Sequence, residues 1–178
     1  MVRYRRNFFE GGTYFFTLTL RDRTSRVLVE HVDILRDAFR AARQRHPFEI
    51  DAIVVMPEHL HLVMTLSPND AGYDLRIRFI KGRFSRRVAQ SRVAIHRNER
   101  GEYDLWQRRY WEHTIRDDQD LQRHVDYIHF NPVKHGHAVR AAAWPYSSIH
   151  RYIRAGWVDA DWGVGVEGDN ESYGERMA

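Results

Sequence analysis

Apolar and β-branched runs in the first part of the chain predict three β-strands. Residues 13–20 read Thr-Tyr-Phe-Phe-Thr-Leu-Thr-Leu, and residues 48–56 and 59–66 are also rich in aliphatic and aromatic side chains. Because only Pro57-Glu58 separates the last two segments, an antiparallel pair is favoured. A short strand is expected next to the aromatic stretch 106–116. These segments predict a sheet that contains at least one antiparallel pair.

Apolar residues spaced by threes and fours predict helices between and after the strands. The segment 32–45 turns its arginines away from an apolar stripe, and the segment 74–97 carries a second stripe. A third helix is predicted at 118–131, where the following Pro132 is expected to end it. A last short helix is predicted at 149–155.

The second helical segment is strongly basic. Between Leu75 and Arg97 it holds eight basic side chains and no acidic one. Such a run is usually a solvated surface, but like charges without counter-charges repel one another, and phosphates would neutralise them. Arginines also alternate with aromatic residues near position 108, which suits single-stranded nucleic acid, although core aromatics flanked by surface arginines are an equally good interpretation. We predict DNA contacts by these residues: Arg3, Arg5, Arg6, Arg78, Lys81, Arg83, Arg86, Arg87, Arg108 and Arg109.

Charge and composition divide the chain. The net charge is +4, but residues 158–178 carry six acidic side chains against Arg176, a net of −5 that leaves +9 for residues 1–157. We expect one domain at 1–157 and an acidic C-terminal tail at 158–178, and the basic body indicates a polyanionic partner such as nucleic acid. The absence of cysteine excludes disulfides and thiolate metal sites. No stretch is apolar enough for a membrane span or a signal peptide.

Two short patterns carry candidate chemistry. His59 and His61 are two residues apart on a predicted strand, so both imidazoles lie on one face. Tyr127 and Asn131 stand one turn apart on a predicted helix. If that helix packs over that strand, the imidazoles and the Asn131 amide oxygen form an open cation site beside the Tyr127 phenol. These ligands suit Mg²⁺ or Mn²⁺, although Zn²⁺ would also bind; half-exposed histidines and a structural tyrosine are the plainer interpretation.

Several linked motifs give the chain a specific resemblance. The segment Met-Pro-Glu-His-Leu-His at 56–61 and the segment Tyr-Ile-His-Phe-Asn-Pro-Val-Lys-His-Gly at 127–136 are similar to the single-tyrosine HUH transposases. The similarity is greatest to those associated with REP palindromes in bacterial genomes. Shorter stretches at 4–6, 11–16, 111–116 and 144–148 match in the same order, so the resemblance extends over nearly the whole chain.

The resemblance implies a ferredoxin-like α+β fold, with helices packed on one face of an antiparallel sheet. It implies a metal-dependent endonuclease and strand transferase that cleaves and rejoins single-stranded DNA next to REP-type hairpins through a 5′-phosphotyrosine. On this chain His59, His61 and Asn131 become the ligands of Mg²⁺ or Mn²⁺, and Tyr127 the nucleophile. It also implies a protein of the bacterial cytoplasm, associated with the nucleoid, away from membranes, and a monomer in preference to a dimer.

Two other functions are compatible with the same residues. A REP-hairpin protein that binds without cutting would keep the basic surface, and a small zinc hydrolase would use water in place of Tyr127. Glu58 stands where many broader relatives have asparagine, so no role is assigned to it. Four further histidines are interpreted as structural: His113, His124, His129 and His135.

Overall fold

The computed structural model describes residues 8–91, 93 and 95–164. The strands are β1 (Thr13–Thr19), β2 (Phe48–Val55), β3 (His59–Leu66) and β4 (Trp111–Thr114), and the helices are α1 (Val27–Glu30), α2 (Val32–Arg45), α3 (Tyr73–Gln90), α4 (Asp118–Lys134) and α5 (Ile149–Arg154), with a 3₁₀ turn at Ala141–Ala143. Within these ranges no helix is long and apolar enough to cross a membrane. The predicted DNA contacts Arg3, Arg5 and Arg6 lie outside the described residues.

The four strands form one antiparallel sheet in the order β2-β3-β1-β4. The central strands β1 and β3 are paired so that Thr17 lies opposite His61 and Thr19 lies opposite His59. The β2-β3 pair follows the short connection at Pro57-Glu58, as predicted from its length. The predicted α+β class and antiparallel sheet are confirmed.

Helices α2 and α3 cover one face of this sheet. Since side chains alternate along a strand, Tyr14 and Phe16 of β1 point to this face together with Leu62 of β3. They pack with Phe39 of α2 and Ile80 of α3 in one buried cluster. Each such apolar side chain contributes roughly 1.5–3 kcal/mol on burial. This layer corresponds to the predicted packing of helices on one face.

Helix α4 covers the opposite face, which the prediction of helices on one face did not include. Phe15 of β1 and Val63 of β3 point to this side and pack with Val125 and Ile128 of α4. Because β1 and β3 are apolar on both faces, the sheet needs a cover on each side. Side chains at odd positions of β3 face α4, so this layer places the helix over the two histidines.

Two helices end at residues different from those predicted. Helix α3 ends at Gln90 instead of continuing to 97, and α4 continues past Asn131 to Lys134 with Pro132 inside its last turn. A proline in a helix removes one backbone hydrogen bond, but its fixed φ is itself compatible with helical geometry. The extra residues bring Lys134 onto the helix.

The first residues of the predicted acidic tail lie against α4. The ring of Trp162 is 6.2 Å from that of His129, and Gly163 lies so close to Phe130 that an added Cβ would come within 3.2 Å of its ring. Residues 165–178, which hold most of the acidic side chains, lie outside the described residues. The division of the chain at 157 therefore stays a prediction.

Candidate active site

The two histidines of β3 lie side by side on the face that α4 covers. Their ring centroids are 4.8 Å apart with an interplanar angle of 72°. His59 is 1% exposed and His61 is 0% exposed. The structure therefore brings the two imidazoles together, as their spacing on a strand predicts. Both rings are buried, whereas the plainer interpretation of the sequence was a pair of half-exposed histidines.

One nitrogen of each imidazole is held by a neighbouring side chain. His61 Nδ1 is 2.9 Å from Thr17 Oγ1, directly across the β1-β3 pair. His59 Nδ1 is 2.9 Å from Glu58 Oε1. Metal-binding histidines are commonly oriented in this way, because a bond at one nitrogen directs the other nitrogen toward the ion. Sequence reasoning missed Thr17, whose position depends on strand register, and left Glu58 without a role.

The side chains of His59 and Arg23 stabilise the ionised form of Glu58. Burial raises its pKa, but the hydrogen bond and charge of His59, together with the charge of Arg23, outweigh that effect and hold the pKa below its usual value. Arg23 reaches Glu58 Oε1 at 3.4 Å. The side chain beside His59 is thus a carboxylate at neutral pH, which favours an N–H at Nδ1 of that ring.

Helix α4 places Tyr127 against the histidines. Its ring is 5.1 Å from that of His61, at 71°, and Phe15 packs against both rings at 6.1 Å and 5.4 Å, respectively. Two turns further along, His135 lies 5.5 Å from the ring of His59. The helix therefore runs along β3, with Tyr127 at one histidine and His135 at the other.

Asn131 occupies the turn between these two contacts. It is four residues from both Tyr127 and His135, so it shares their side of the helix, and it is 0% exposed. The structure thus brings His59, His61 and Tyr127 together, and helical spacing places Asn131 on the surface of α4 that faces the two histidines. His135, interpreted as structural from the sequence, also lies at this surface.

The phenol of Tyr127 has a basic neighbour that the sequence did not indicate. Lys134 Nζ lies 3.3 Å from its oxygen and 4.6 Å from the centre of its ring. Both side chains are only partly buried, so this edge of the site is open to solvent. Because the helix was predicted to end at Asn131, its periodicity did not place Lys134 on the side of Tyr127.

A second polar cluster joins β4 to the start of α4. His113 Nε2 lies 2.8 Å from Asp120 Oδ2, and His124 Nδ1 lies 2.7 Å from the Asp120 carbonyl oxygen. Among the described residues, ligand atoms of these three side chains lie within 4.8 Å of one another, close enough for a metal ion. The two imidazoles are nearly parallel, however, at 15° and 4.7 Å, so their lone pairs do not converge on one point. We interpret the cluster as a polar network that fixes α4 on the sheet.

This network is consistent with the charge states of its members. Burial raises the pKa of Asp120, but hydrogen bonds from His113 and the Arg116 backbone lower the pKa by more than burial raises it. The carboxyl is therefore ionised at neutral pH. Burial lowers the pKa of His124. Asp117 completes the arrangement as the N-cap of α4, accepting a 2.8 Å bond from Asp120 N. The structural interpretation of His113 and His124 stays a prediction.

The predicted DNA contacts fall into two regions. Those on α3 lie in the layer on the other face of the sheet from Tyr127, where Arg78, Arg86 and Arg87 are exposed and Lys81 donates a 2.8 Å bond to the Gln107 carbonyl. A further pair is exposed in the loop before β4: Arg108 and Arg109. Arg83, the remaining member on α3, is partly buried. Contact of any of these residues with DNA stays a prediction.

The family comparison decides to which group of proteins this arrangement belongs. The family model described as Transposase IS200 like matches residues 3–131, a range that includes both histidines, Tyr127 and Asn131. The chain belongs to this family. The resemblance to tyrosine transposases that the sequence motifs indicate is thereby confirmed.

Relatives of this transposase match it over nearly its whole length. A REP-associated tyrosine transposase of Escherichia coli is 40% identical over 177 residues, which covers 99% of each chain. A Haemophilus influenzae protein, provisionally named a REP-associated tyrosine transposase, is 44% identical over 165 residues, covering 92% of this chain and 94% of the relative. The solved structure of a REP-associated tyrosine transposase bound to a REP hairpin superimposes with a TM-score of 0.87 at 40% identity, covering 100% of this chain and 99% of that one.

Proposed function

We propose that this transposase is a metal-dependent endonuclease and strand transferase that cleaves and rejoins single-stranded DNA next to REP-type hairpins through a 5′-phosphotyrosine. The observation that carries the proposal is the position of Tyr127, with its ring 5.1 Å from His61 and its helix laid along the strand of the two histidines. A phenol that is only partly buried beside a pair of buried imidazoles is suited to attack a phosphate held at that surface.

The partner is a DNA hairpin with a single-stranded flank. A solved relative that this chain matches over its full length is bound to a REP hairpin. The +9 charge of residues 1–157 favours a polyanion. The exposed arginines at 108 and 109 and those on α3 supply phosphate contacts in this proposal. The protein acts as a monomer in the cytoplasm, at the nucleoid; sedimentation with and without hairpin DNA tests the monomer.

The donor set of the site fits a divalent cation. Two buried imidazoles, each held at Nδ1 by an oxygen of Thr17 or Glu58, present nitrogen ligands, and the amide of Asn131 adds an oxygen ligand. Nitrogen and oxygen donors without sulfur are compatible with Mg²⁺ or Mn²⁺. His59, His61 and Asn131 would hold the ion, which when bound supplies Lewis-acid stabilisation of a phosphate oxygen.

A tyrosine nucleophile allows the cleaved strand to be rejoined, because the energy of the broken phosphodiester bond is kept in the bond to Tyr127. Attack by the Tyr127 oxygen transfers the 5′-phosphate to the protein and releases a 3′-hydroxyl. Because the phosphotyrosine retains an activated ester, a second 3′-hydroxyl can displace Tyr127 and rejoin the strand without an external energy source. Burial of His61 and Phe15 against the inner side of the ring restricts the orientation of the phenol.

The direct test is formation of a covalent protein–DNA adduct. Wild-type protein is incubated with a 5′-flanked, labelled REP hairpin and Mg²⁺ or Mn²⁺, and the adduct is mapped by mass spectrometry. Tyr127→Phe should abolish cleavage and adduct while hairpin binding persists, and Tyr103→Phe, in a loop outside the site, should leave both unchanged. Cleavage by Tyr127→Phe would remove Tyr127 from the role of nucleophile.

The ligands are tested separately from the nucleophile. His59→Ala or His61→Ala should lose Mn²⁺ binding in calorimetry and lose cleavage, with hairpin affinity largely retained. If a variant that carries both substitutions keeps full Mn²⁺ binding and activity, the ion lies elsewhere, and the cluster around Asp120 is the first position to examine. Tight hairpin binding by wild-type protein without nicking in either metal would instead favour a binding protein, and metal-dependent hydrolysis that is insensitive to Tyr127→Phe would favour the zinc hydrolase.

A further inference from the structure

The ammonium group of Lys134 lies beside the oxygen of Tyr127. The distance from Nζ to the phenolic oxygen is 3.3 Å, shorter than the 4.6 Å to the ring centre, so the charge is nearest the edge that carries the hydroxyl. The residues are seven apart, or about two helical turns, which puts them on the same side of α4. We propose that Lys134 is a catalytic residue of the transposase, which positions and stabilises the attacking oxygen of Tyr127.

The backbone that carries Lys134 is fixed by the way α4 ends. Gly136 N donates to Val133 O at 3.0 Å and His137 N donates to Pro132 O at 2.8 Å. Gly136 has a φ of 69°, in the left-handed region. These paired bonds form a Schellman cap, in which glycine is favoured after the last helical residues. Lys134 is therefore the final residue of a closed helix end, and its charge also interacts favourably with the helix dipole.

The ammonium is suited to the charge that develops during attack. The phenolic oxygen forms a bond to phosphorus, and the bond from phosphorus to the 3′-oxygen breaks. The phenolic proton passes to solvent, and the departing 3′-oxygen takes up a proton to become a 3′-hydroxyl. Lys134 keeps its own proton and donates a hydrogen bond to the phenolic oxygen while that atom carries negative charge. A donor of this kind commonly contributes ~10²–10³-fold in rate.

The same contact serves the reverse step. When a 3′-hydroxyl attacks the phosphotyrosine, the Tyr127 oxygen leaves with negative charge, and the adjacent ammonium stabilises it again. A residue that only bound DNA would change affinity without changing the rate at saturating DNA. A residue that only packed against the ring would change stability. Loss of Lys134 should instead slow cleavage and rejoining by similar factors.

This role of Lys134 rests on the proposed function, because it takes Tyr127 to be the nucleophile. The first experiment measures the rate of single-turnover adduct formation at saturating hairpin DNA. Lys134→Met keeps the length of the side chain and removes its charge, and its rate should fall by ~100-fold or more, with the Kd for the hairpin changed by less than about three-fold. Lys134→Arg should recover part of the rate. Arg123→Met, which removes one exposed charge from the same helix, is the matched control and should stay within about two-fold of wild type.

A second measurement separates failure of this proposal from failure of the proposed function. Tyr127 is labelled with an arylsulfonyl fluoride in the absence of DNA, and the modified peptide is quantified by mass spectrometry. Lys134→Met should label Tyr127 at least ten-fold more slowly than wild type, with unchanged circular dichroism and thermal midpoint. Unchanged labelling and unchanged adduct rate would overturn the role of Lys134. Slower labelling in a protein that forms no DNA adduct would support Lys134 and reject the DNA strand-transfer function.

Discussion

His129 makes the stability of the fold sensitive to mild acid. It is 1% exposed on α4, with Nε2 3.0 Å from Ser148 Oγ and its ring 4.6 Å from that of Tyr152. Burial lowers the pKa of His129 from 6.5 to about 4, and the positive charges of Arg151 and His150 add to the effect. The imidazole is therefore neutral in the folded protein at a pH where the unfolded chain already binds a proton.

The sign and size of the effect follow from linkage. Between pH 6.5 and 4 the unfolded state binds more protons at this position than the folded state, so stability falls as the pH falls through this window. The full shift corresponds to about 3 kcal/mol, and a change from pH 7 to pH 5 removes about 2 kcal/mol of it. Above pH 7 the contribution is constant.

The assay compares urea denaturation, followed by tryptophan fluorescence, at pH 7 and pH 5. Wild-type protein should lose about 2 kcal/mol more than His129→Gln over this interval, because the variant has no titrating group at that position. His96→Gln, which removes an exposed histidine from the loop after α3, should lose as much as wild type. If wild type and His129→Gln lose the same free energy of unfolding, the buried imidazole is not the cause.

Three further predictions concern stability, each measured as the free energy of unfolding in urea. Arg76→Met should cost about 2–3 kcal/mol, because the fully buried guanidinium donates to the Pro47 carbonyl at 2.7 Å; a change below 1 kcal/mol would contradict this. Asp120→Asn should cost about 2 kcal/mol at neutral pH by weakening the bond to His113. This cost should persist down to about pH 3.8 and be lost only below it, as the pH falls through the lowered folded pKa of Asp120. Gly136→Ala should cost about 1 kcal/mol through its positive φ alone, because an added Cβ meets nothing within 4 Å; Gly136→Asn should cost less.

The backbone periodicity of strands and helices predicted much of the arrangement of the candidate site. The period of two along a strand put His59 and His61 on one face, and the period of 3.6 along a helix put Tyr127 and Asn131 on one side. Both relations depend only on backbone geometry, and the structure retains both. The prediction that Pro132 ends the helix was wrong. A proline in the last turn removes a single backbone hydrogen bond, and the packing of α4 compensates for that loss.

Relations between elements depended on tertiary structure. The sequence by itself determined β1, β2 and β3, most of the helices, the shared face of the two histidines and the motifs that mark the family, whereas β4 lies within the aromatic stretch 106–116 and not beside it. Only the packed structure decided that α4 covers the face opposite α2 and α3, that Thr17 lies across from His61, and that Lys134 reaches the Tyr127 oxygen. Periodicity shows which side of an element is apolar, but not which of two apolar sheet faces will receive it, since that choice depends on burying surfaces far apart in the chain.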